Sequence, residues 1–507
     1  MHRLSKYALS FILPVLILLL WFWVSEAGLF PPLLLPGPDQ VARRAVELLC
    51  TGELARHAAS SMARVAAGFL ISSVCALALA FWLCRSPLLE RTLDPLLEAL
   101  RVVPPLSLIP LLILWLGIDE APKLAIVVLA SFFPIYLSSL SSLKRVLARY
   151  RELAQVLGLS QSEVNRHILF PGSLPEVLTG LRLGFGYAWR ALVGSELIAA
   201  ASGLGYLIED ASALARTDVV MVGILSIALL GTGCDALFRR TAERILMRRP
   251  KREPLELPSE ASASFLGVPD LPGISIRGLA VRYPNGREPL TNFSLEVPPG
   301  RLTAILGRSG CGKTTLLKAV AGLQPKAAGE ISFTGKKRPS IGMVFQEPNL
   351  LPWKTVRENV ELALLRETET RRRAKTAEVL QLVGLLDREG DYPDALSGGQ
   401  KQRVGFARAL AREPEVLLMD EPFGALDALT REELQTESLR ILARARMTVL
   451  MITHDVREAV RMADEVLILE AGRAAEHYPL AMSRPRHLRD AGVVEAEEAI
   501  LARLLAR

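Results

Sequence analysis

The chain has 507 residues and a net charge of +7, with 50% hydrophobic and 22% charged residues and a mean hydropathy of +0.29. This length exceeds one ordinary core, so at least two domains are expected. The hydropathy excludes a disordered chain, and the charge content excludes one that is membrane throughout.

Residues 1–250 carry 23 Lys and Arg against 18 Asp and Glu, and the remainder carries 37 against 35. Neither half has the basic excess of a nucleic-acid binder, so no nucleic-acid partner is expected. The five cysteines (Cys50, Cys75, Cys84, Cys234 and Cys311) lack the paired spacing of a disulfide framework or a zinc site.

Uncharged runs dominate the first half, at 8–25, 65–84, 102–118 and 124–143. Each is about long enough to cross a hydrocarbon core of roughly 30 Å as a helix. A fifth apolar stretch, 177–200, contains Arg182, Arg190 and Glu196, and a sixth runs from Val219 to Phe238. Charge inside a membrane is costly, so these three residues either serve gating, coupling or anion passage, or form a packed ion pair. Prolines 14, 104, 105, 110 and 134 fall within the spans as tolerable kinks.

Six spans put both termini on one side. Arg3 and Lys6, Arg85 and Arg91, Lys144 to Arg151, and Arg239 to Arg252 all fall on the cytoplasmic side if the N-terminus is there. The segment 26–57, with Arg43, Arg44 and Arg56, departs from this pattern, and its residues 39–55 read as an amphipathic surface helix. The first span is expected to be retained, because Val24-Ser25-Glu26-Ala27 is a poor cleavage site for a signal peptide. Five prolines (250, 254, 258, 269 and 272) then punctuate a polar linker over 250–272.

From Ile274 the pattern is soluble α/β. Leu302–Leu306, Ile341–Phe345, Val416–Met419 and Val449–Ile452 read as buried strands, with helical segments at 364–383 and 430–445. Gly307-Arg308-Ser309-Gly310-Cys311-Gly312-Lys313-Thr314 fits G-x-x-x-x-G-K-[ST], between a strand and a helical stretch Thr315–Val320. Such a loop turns backbone N–H groups toward phosphate, and the helix adds the positive end of its dipole. Lys313 is placed to reach the β and γ phosphates of ATP, and the Thr314 hydroxyl to ligate Mg²⁺. Cys311 reads as a small filler. Asp420 and Glu421 end an apolar strand, where Asp420 suits metal coordination and Glu421 suits accepting a proton from attacking water.

Leu396-Ser397-Gly398-Gly399-Gln400, followed by Lys401-Gln402-Arg403, resembles the signature of the nucleotide-binding domain of ABC transporters. The resemblance covers about 274–475. It implies that Ser397, Gly398, Gly399 and Gln400 face the γ-phosphate held by an opposite subunit, so that ATP joins two domains. It also implies a γ-phosphate and Mg²⁺ sensor at Gln346, a dimer contact at Asp427, a switch histidine at His454 and adenine stacking on Tyr283. Gly307, Ser309, Gly310, Cys311, Gly312, Lys313, Thr314 and Thr315 form the phosphate-binding part.

In the first half, Glu152, Ala154, Gly158, Ile168 and Pro171 resemble the cytoplasmic EAA loop of ABC importers, with Leu153 and Phe170 as mild departures. The resemblance implies a coupling helix that docks beside Gln346. Ser60–Phe69, Gly180-Leu181-Arg182, Ala188-Trp189-Arg190 and Val193-Gly194-Ser195-Glu196 look like permeases of the nitrate/sulfonate/taurine group, and Phe345 to Trp353 looks like that group's ATPase. That group usually encodes the two as separate chains.

The expected architecture is an α-helical transmembrane bundle of six spans followed by an α/β P-loop NTPase domain of ABC type. The expected bounds are 1–249 for the permease with a coupling loop at 150–172, 250–272 for the linker, 273–475 for the nucleotide-binding domain and 476–507 for a tail. Ile500, Leu501, Leu504 and Leu505 fall on an amphipathic tail helix. The expected function is ATP-driven import of a small anionic solute across the plasma membrane, by two copies of the chain served by an external solute-binding protein. Two rivals stand beside it: an exporter half-transporter, as fusion of the two domains suggests, and a membrane-tethered regulatory ATPase without transport.

Overall fold

Proline and glycine set where the helices of the first half begin, break and end. A computed structural model describes every residue except 1, 248–253, 256–270, 309, 425–427, 471, 485, 487–489 and 506–507. The chain folds as two units, one of Met1–Ala148 and Leu169–Pro250, the other of Arg149–Ile168 and Lys251–Arg507. Most of the linker expected at 250–272, and the basic residues 248–252 before it, lie outside the described residues.

The first unit is helical. α1 (His2–Glu26) contains Pro14. α2 (Pro38–Cys50) starts with Pro38 in its first turn and buries Val41 and Leu48, seven residues apart on one face. It is shorter than the helix expected over 39–55, because Gly52, at φ +75°, starts a new one. That helix, α3 (Glu53–Arg85), is followed by α4 (Pro87–Val102), whose N-cap Ser86 accepts from the Leu89 N–H.

Pro104 and Pro105 stop α4. A 3-10 turn (Pro105–Leu108) and a short α5 (Ile109–Leu116) follow, and the path bends by 88°. The uncharged run 102–118, expected as one span, is therefore broken. Proline cannot donate to the helix ladder, and it pushes the preceding residue toward extended backbone. α6 (Glu120–Val156), α7 (Gln161–Val164), a π-helical turn (Asn165–Leu169), α8 (Phe170–Ala199), α9 (Leu204–Ala213) and α10 (Thr217–Leu246) complete the helices before the second half.

Among the described residues, α3, α6 and α10 are each long and apolar enough to cross a membrane, and α4 with Pro105–Leu116 makes a fourth if the bent pair is one span. Length and composition thus support three or four of the six spans expected. The helices approach closely where side chains are small: a Cβ on Gly184 of α8 would lie 2.5 Å from Ile135 of α6.

The second unit holds two sheets. β1 (Ile274–Val281), β2 (Leu290–Val297) and β4 (Ala328–Phe333) form an antiparallel sheet of order β2-β1-β4. The larger sheet has the order β5-β6-β7-β3-β8-β9. It comprises β3 (Leu302–Leu306), β5 (Ile341–Val344), β6 (Val416–Asp420), β7 (Thr448–Ile452), β8 (Glu465–Glu470) and β9 (Arg473–Pro479). All its pairings are parallel except β8 with β9. The strands β3, β6 and β7 are buried throughout, as their unbroken apolar runs require of a sheet covered on both faces.

The helices of this unit are α11 (Lys313–Val320), α12 (Val356–Glu361), α13 (Glu369–Leu382), α14 (Gly398–Leu410), α15 (Ala428–Ala445), α16 (Val456–Met462) and α17 (Ala491–Leu505). The expected boundary at 475 falls inside β9. Val493 and Ile500 of α17 belong to the main core of the unit, and Leu504 packs against it, while Leu501 and Leu505 are exposed.

Candidate functional site

β3 delivers the phosphate loop. It lies between β7 and β8 in the sheet, where strand order reverses, and in such sheets ligands bind beyond the carboxyl ends of the strands. Two glycines are required by space. A Cβ on Gly307 would lie 2.5 Å from the Leu469 carbonyl oxygen. Gly312, the N-cap of α11, has φ +109°, and a Cβ there would lie 2.5 Å from the Pro289 carbonyl oxygen. The loop closes on itself through Lys313, whose Nζ donates to the carbonyls of Gly307 (2.7 Å) and Arg308 (3.0 Å).

A cavity of about 430 Å³ opens at this loop, lined by Gly310, Gly312, Lys313, Thr314 and Thr315, with Glu421, Tyr283 and Arg287 around them. Tyr283 Oη and Thr315 Oγ1 lie 3.0 Å apart. The Tyr283 backbone also closes a turn over Pro284-Asn285-Gly286, since the Gly286 N–H donates to its carbonyl at 2.9 Å. Arg287 was not singled out by sequence; its Nη2 donates to the Gly310 carbonyl. Cys311 is a half-buried free thiol, and Ser309 lies outside the described residues.

β6 and β7 bring the acids and the histidine together. Thr314 Oγ1 donates to Asp420 Oδ1 at 3.3 Å. Burial holds the Asp420 carboxyl above its ordinary range; the Thr314 hydrogen bond opposes this, and the neighbouring Glu421 charge adds to it. Glu421 sits at φ +42°, an uncommon conformation for a residue with a side chain. Its backbone N–H is held by the Ile452 carbonyl at 2.9 Å. Its Oε2 accepts from Gln346 Nε2 at 3.2 Å and lies 3.2 Å from His454 Nδ1. Gln346, Glu421 and His454 therefore converge, although 75 and 33 residues separate the two partners from Glu421.

Ser397 N-caps α14 in a reciprocal box. The Gln400 N–H donates to Ser397 Oγ, and the Ser397 N–H donates to Gln400 Oε1. Ser397 and Gly398 are exposed, Gly399 is buried and Gln400 is half-buried. None of the four lines the phosphate-loop cavity. The start of α14 is thus exposed at Ser397 and Gly398, and the N-terminal end of a helix favours anions. Asp427 lies outside the described residues.

The coupling segment divides. Glu152, Ala154 and Gly158 fold with the second unit, and Pro171, near the start of α8, belongs to the first. Glu152 pairs with Lys318 of α11 at 2.5 Å. Arg366 Nη2 donates to the Gly158 carbonyl at 2.7 Å, and Arg412 Nη1 to the Leu157 carbonyl at 3.1 Å. Trp353 Nε1 donates to the His167 carbonyl at 3.1 Å, and its ring meets Tyr150 edge-on at 5.6 Å. Burial, then the charges of Lys354 and Arg166, hold the His167 imidazole below its ordinary range. Gln346 and Trp353 stand on the same loop, so the segment Arg149–Ile168 packs, through Tyr150 and His167, against the loop that carries the γ-phosphate sensor candidate.

Two groups escaped the sequence reading. Glu458 is buried behind His454 and accepts from Thr453 Oγ1 at 2.7 Å. Arg408 is buried under the loop of Gln346, donating to the carbonyls of Pro348 (2.5 Å) and Asn349 (3.1 Å). Both sit in helices as ordinary charged residues, and no periodicity marks a charge that faces inward.

In the first unit, Glu196 does not pair with either arginine of its own helix. Arg64 Nη1 of α3 donates to Glu196 Oε1 at 2.7 Å. Arg182 meets Asp235 of α10 through two bonds of 2.6 and 2.7 Å. Arg190 has no carboxylate partner among the described residues.

Residues 290–424 match the family model described as "ABC transporter", and residues 68–247 match the one described as "Binding-protein-dependent transport system inner membrane component". An aliphatic sulfonates import ATP-binding protein, SsuB, of Cupriavidus necator is 44% identical over 262 residues, covering 50% of this chain and 84% of that protein. The protein of the same name from Albidiferax ferrireducens is 46% identical over 234 residues, covering 45% and 82%. One from Pseudomonas aeruginosa is 44% identical over 245 residues, covering 48% and 86%. A dimeric ATP-binding cassette solved in a post-hydrolysis state with ADP and Pi is 31% identical, covering 41% of this chain and all of that one at a TM-score of 0.38. The chain belongs to the ABC transporter family, joining in one polypeptide a membrane-embedded transport domain and a cassette that binds and hydrolyses ATP.

Proposed function

We propose that the protein imports a small anion of the sulfonate class across the plasma membrane, as two copies served by an external solute-binding protein. One observation carries the reading. A transport component named for binding-protein dependence and a cassette 44% identical to an aliphatic sulfonates import protein occur in the same chain. Six spans with both termini in the cytoplasm are part of the proposal, as are a permease over 1–249 with its loop at 150–172, a linker over 250–272, a cassette over 273–475 and a tail after it.

In the cassette, phosphate entering the loop displaces the carbonyls of Gly307 and Arg308 from Lys313, which then holds the β and γ phosphates. Tyr283 stacks on the adenine. The exposed helix start at Ser397–Gln400 of the second copy closes over the γ-phosphate, with Asp427 at the contact. Glu421 takes a proton from water as its oxygen attacks the γ-phosphorus, and the bond to the β–γ bridging oxygen breaks, releasing ADP and phosphate. Gln346 and His454, already bonded to Glu421, position the water and the γ-phosphate. Thr314 and Asp420 fit a magnesium ion, since Thr314 lines the cavity and its Oγ1 lies 3.3 Å from Asp420 Oδ1, a pair of hard oxygen donors. With Gln346 they would hold it, and bound there it neutralises phosphate charge.

ATP-dependent uptake of a labelled alkanesulfonate into vesicles, with the solute-binding protein present, tests this reading. Glu421→Gln should bind ATP and abolish uptake. Uptake that persists in this variant would overturn its coupling to hydrolysis.

A further inference from the structure

Arg64, Arg182 and Arg190 lie in or beside apolar stretches of the first unit's helices, and the first two are neutralised by carboxylates. Arg64 pairs with Glu120 and Glu196, and Arg182 pairs with Asp235. Arg190 is different. Its Nε donates to the Gly186 carbonyl one turn back, at 3.0 Å, and its guanidinium carbon lies 4.8 Å from the Tyr187 ring centroid. Among the described residues it has no other partner. An unpaired charge on an apolar helix persists where it faces water or a ligand.

Arg190 lines a cleft of about 670 Å³ in the first unit. The opposite wall is the broken segment between α4 and α5, with Val103, Pro104, Pro105 and Leu106, and Phe133 of α6 adds an aromatic face. The other arginine in the cleft, Arg101, is already bonded to Glu98 on its own helix. The 88° break supports the same conclusion independently. Irregular backbone within a membrane domain is tolerated where it lines a cavity. A mostly apolar cleft of this size with one available guanidinium has the composition of a small-molecule site.

We propose that this cleft contacts the transported solute, with Arg190 receiving the acidic head and the Val103–Leu106 wall receiving a hydrocarbon tail. The proposal rests on the import reading and deepens it. A planar guanidinium fork suits the oxygens of a sulfonate. The apolar wall then selects anions that carry a short aliphatic chain over inorganic anions of the same charge.

The test uses the purified full-length protein and two probes, methanesulfonate and butane-1-sulfonate, with binding followed by intrinsic fluorescence. Wild-type affinity should rise about fourfold per methylene from one probe to the other. Arg190→Gln should weaken both probes by about tenfold or more while ATP binding is unchanged. Arg190→Lys should recover only part, because it keeps the charge and loses the fork. Leu106→Trp should weaken butane-1-sulfonate and leave methanesulfonate nearly unaffected, which guards against a folding defect in any one variant. Equal binding by Arg190→Gln and wild type, or no dependence on chain length, overturns the site. ATP-driven uptake is measured separately. Wild-type binding without uptake rejects import and leaves the site standing; normal uptake and binding in Arg190→Gln rejects the site and leaves import standing.

Discussion

Arg64 and Glu196 meet at 2.7 Å across 132 residues of sequence, with the Glu196 side chain fully buried. Glu196 also accepts from Ser61 Oγ and from the Gly205 N–H. Arg64 spends its remaining donors on Glu120, the Ser202 carbonyl and Ser202 Oγ. The pair therefore holds the turn between α8 and α9 against α3. Removing Glu196 strips Arg64 of its buried partner and leaves it only the half-exposed Glu120 as counter-charge; losing one partner of a buried pair costs up to about 3–5 kcal/mol, whereas replacing both with apolar residues is often far less harmful. Glu196→Ala should lower the thermal unfolding midpoint strongly. The double variant Arg64→Met, Glu196→Leu should recover part of that loss. A double variant no more stable than Glu196→Ala would show that the hydrogen bonds to the turn matter more than the charge.

Glu458 links the cassette to pH. Burial pushes its carboxyl from an ordinary 4.5 up to about 7, opposed by the Thr453 hydrogen bond. Asp455 and Glu421 add to the rise and Arg431 opposes it. Between those two values the folded chain keeps a proton that the unfolded chain has released. Stability contributed by this group therefore falls as pH rises from about 4.5 to 7, by ~3 kcal/mol, and is level above that. Glu458→Gln should flatten this part of the stability profile and raise stability at pH 8. Unfolding midpoints at pH 5, 6, 7 and 8 decide it, and parallel profiles for variant and wild type would refute it.

The phosphate loop and the acids after β6 were legible because a local motif encodes them: a strand, eight residues and a helix fix Lys313 and Thr314 without reference to distant chain. The convergence of Gln346 and His454 on Glu421 was legible only through resemblance, because nothing local places three strand ends side by side. The partners of Arg182 and Glu196 were not legible. Each lies on another helix, and the sequence shows only that a charge is present. The break at Pro104 was misread for a related reason. Hydropathy registers an uncharged run but is blind to the direction in which two consecutive prolines send it. The expected boundary at 475 cut β9 in two because an edge strand, Arg473 to Pro479, has no apolar alternation to mark it.

The docking of Arg149–Ile168 predicts where coupling resides. The Glu152–Lys318 ion pair is partly exposed, at 40% and 27% side-chain accessibility, and such pairs contribute ~1 kcal/mol or less. Trp353 offers more: an edge-on ring contact with Tyr150 and a hydrogen bond to the His167 carbonyl. Trp353→Ala should cut ATP-driven uptake about tenfold while basal ATP hydrolysis stays within about twofold. Lys318→Ala should reduce uptake by less than Trp353→Ala does. Parallel measurements of uptake and phosphate release on each variant separate uncoupling from damage to the ATP site.

Arg408 supports the loop that carries both Gln346 and Trp353. Burial lowers its guanidinium to about 10, so it stays charged at neutral pH. It donates to the carbonyls of Pro348 and Asn349, and Asn349 sits at φ +46°. These two bonds therefore hold a loop whose backbone is already strained. Hydrogen bonds to a charged group contribute about 1.5–3 kcal/mol each, and the orphaned carbonyls would remain half-buried. Arg408→Ala should destabilise the cassette by about 2–4 kcal/mol. It should also lower both ATP hydrolysis and uptake, since Gln346 would lose its placement. Arg408→Lys restores charge but not the two-pronged geometry, and should recover stability more than activity. Equal recovery of the two would mean that Arg408 acts only through the core, with no separate effect on the loop.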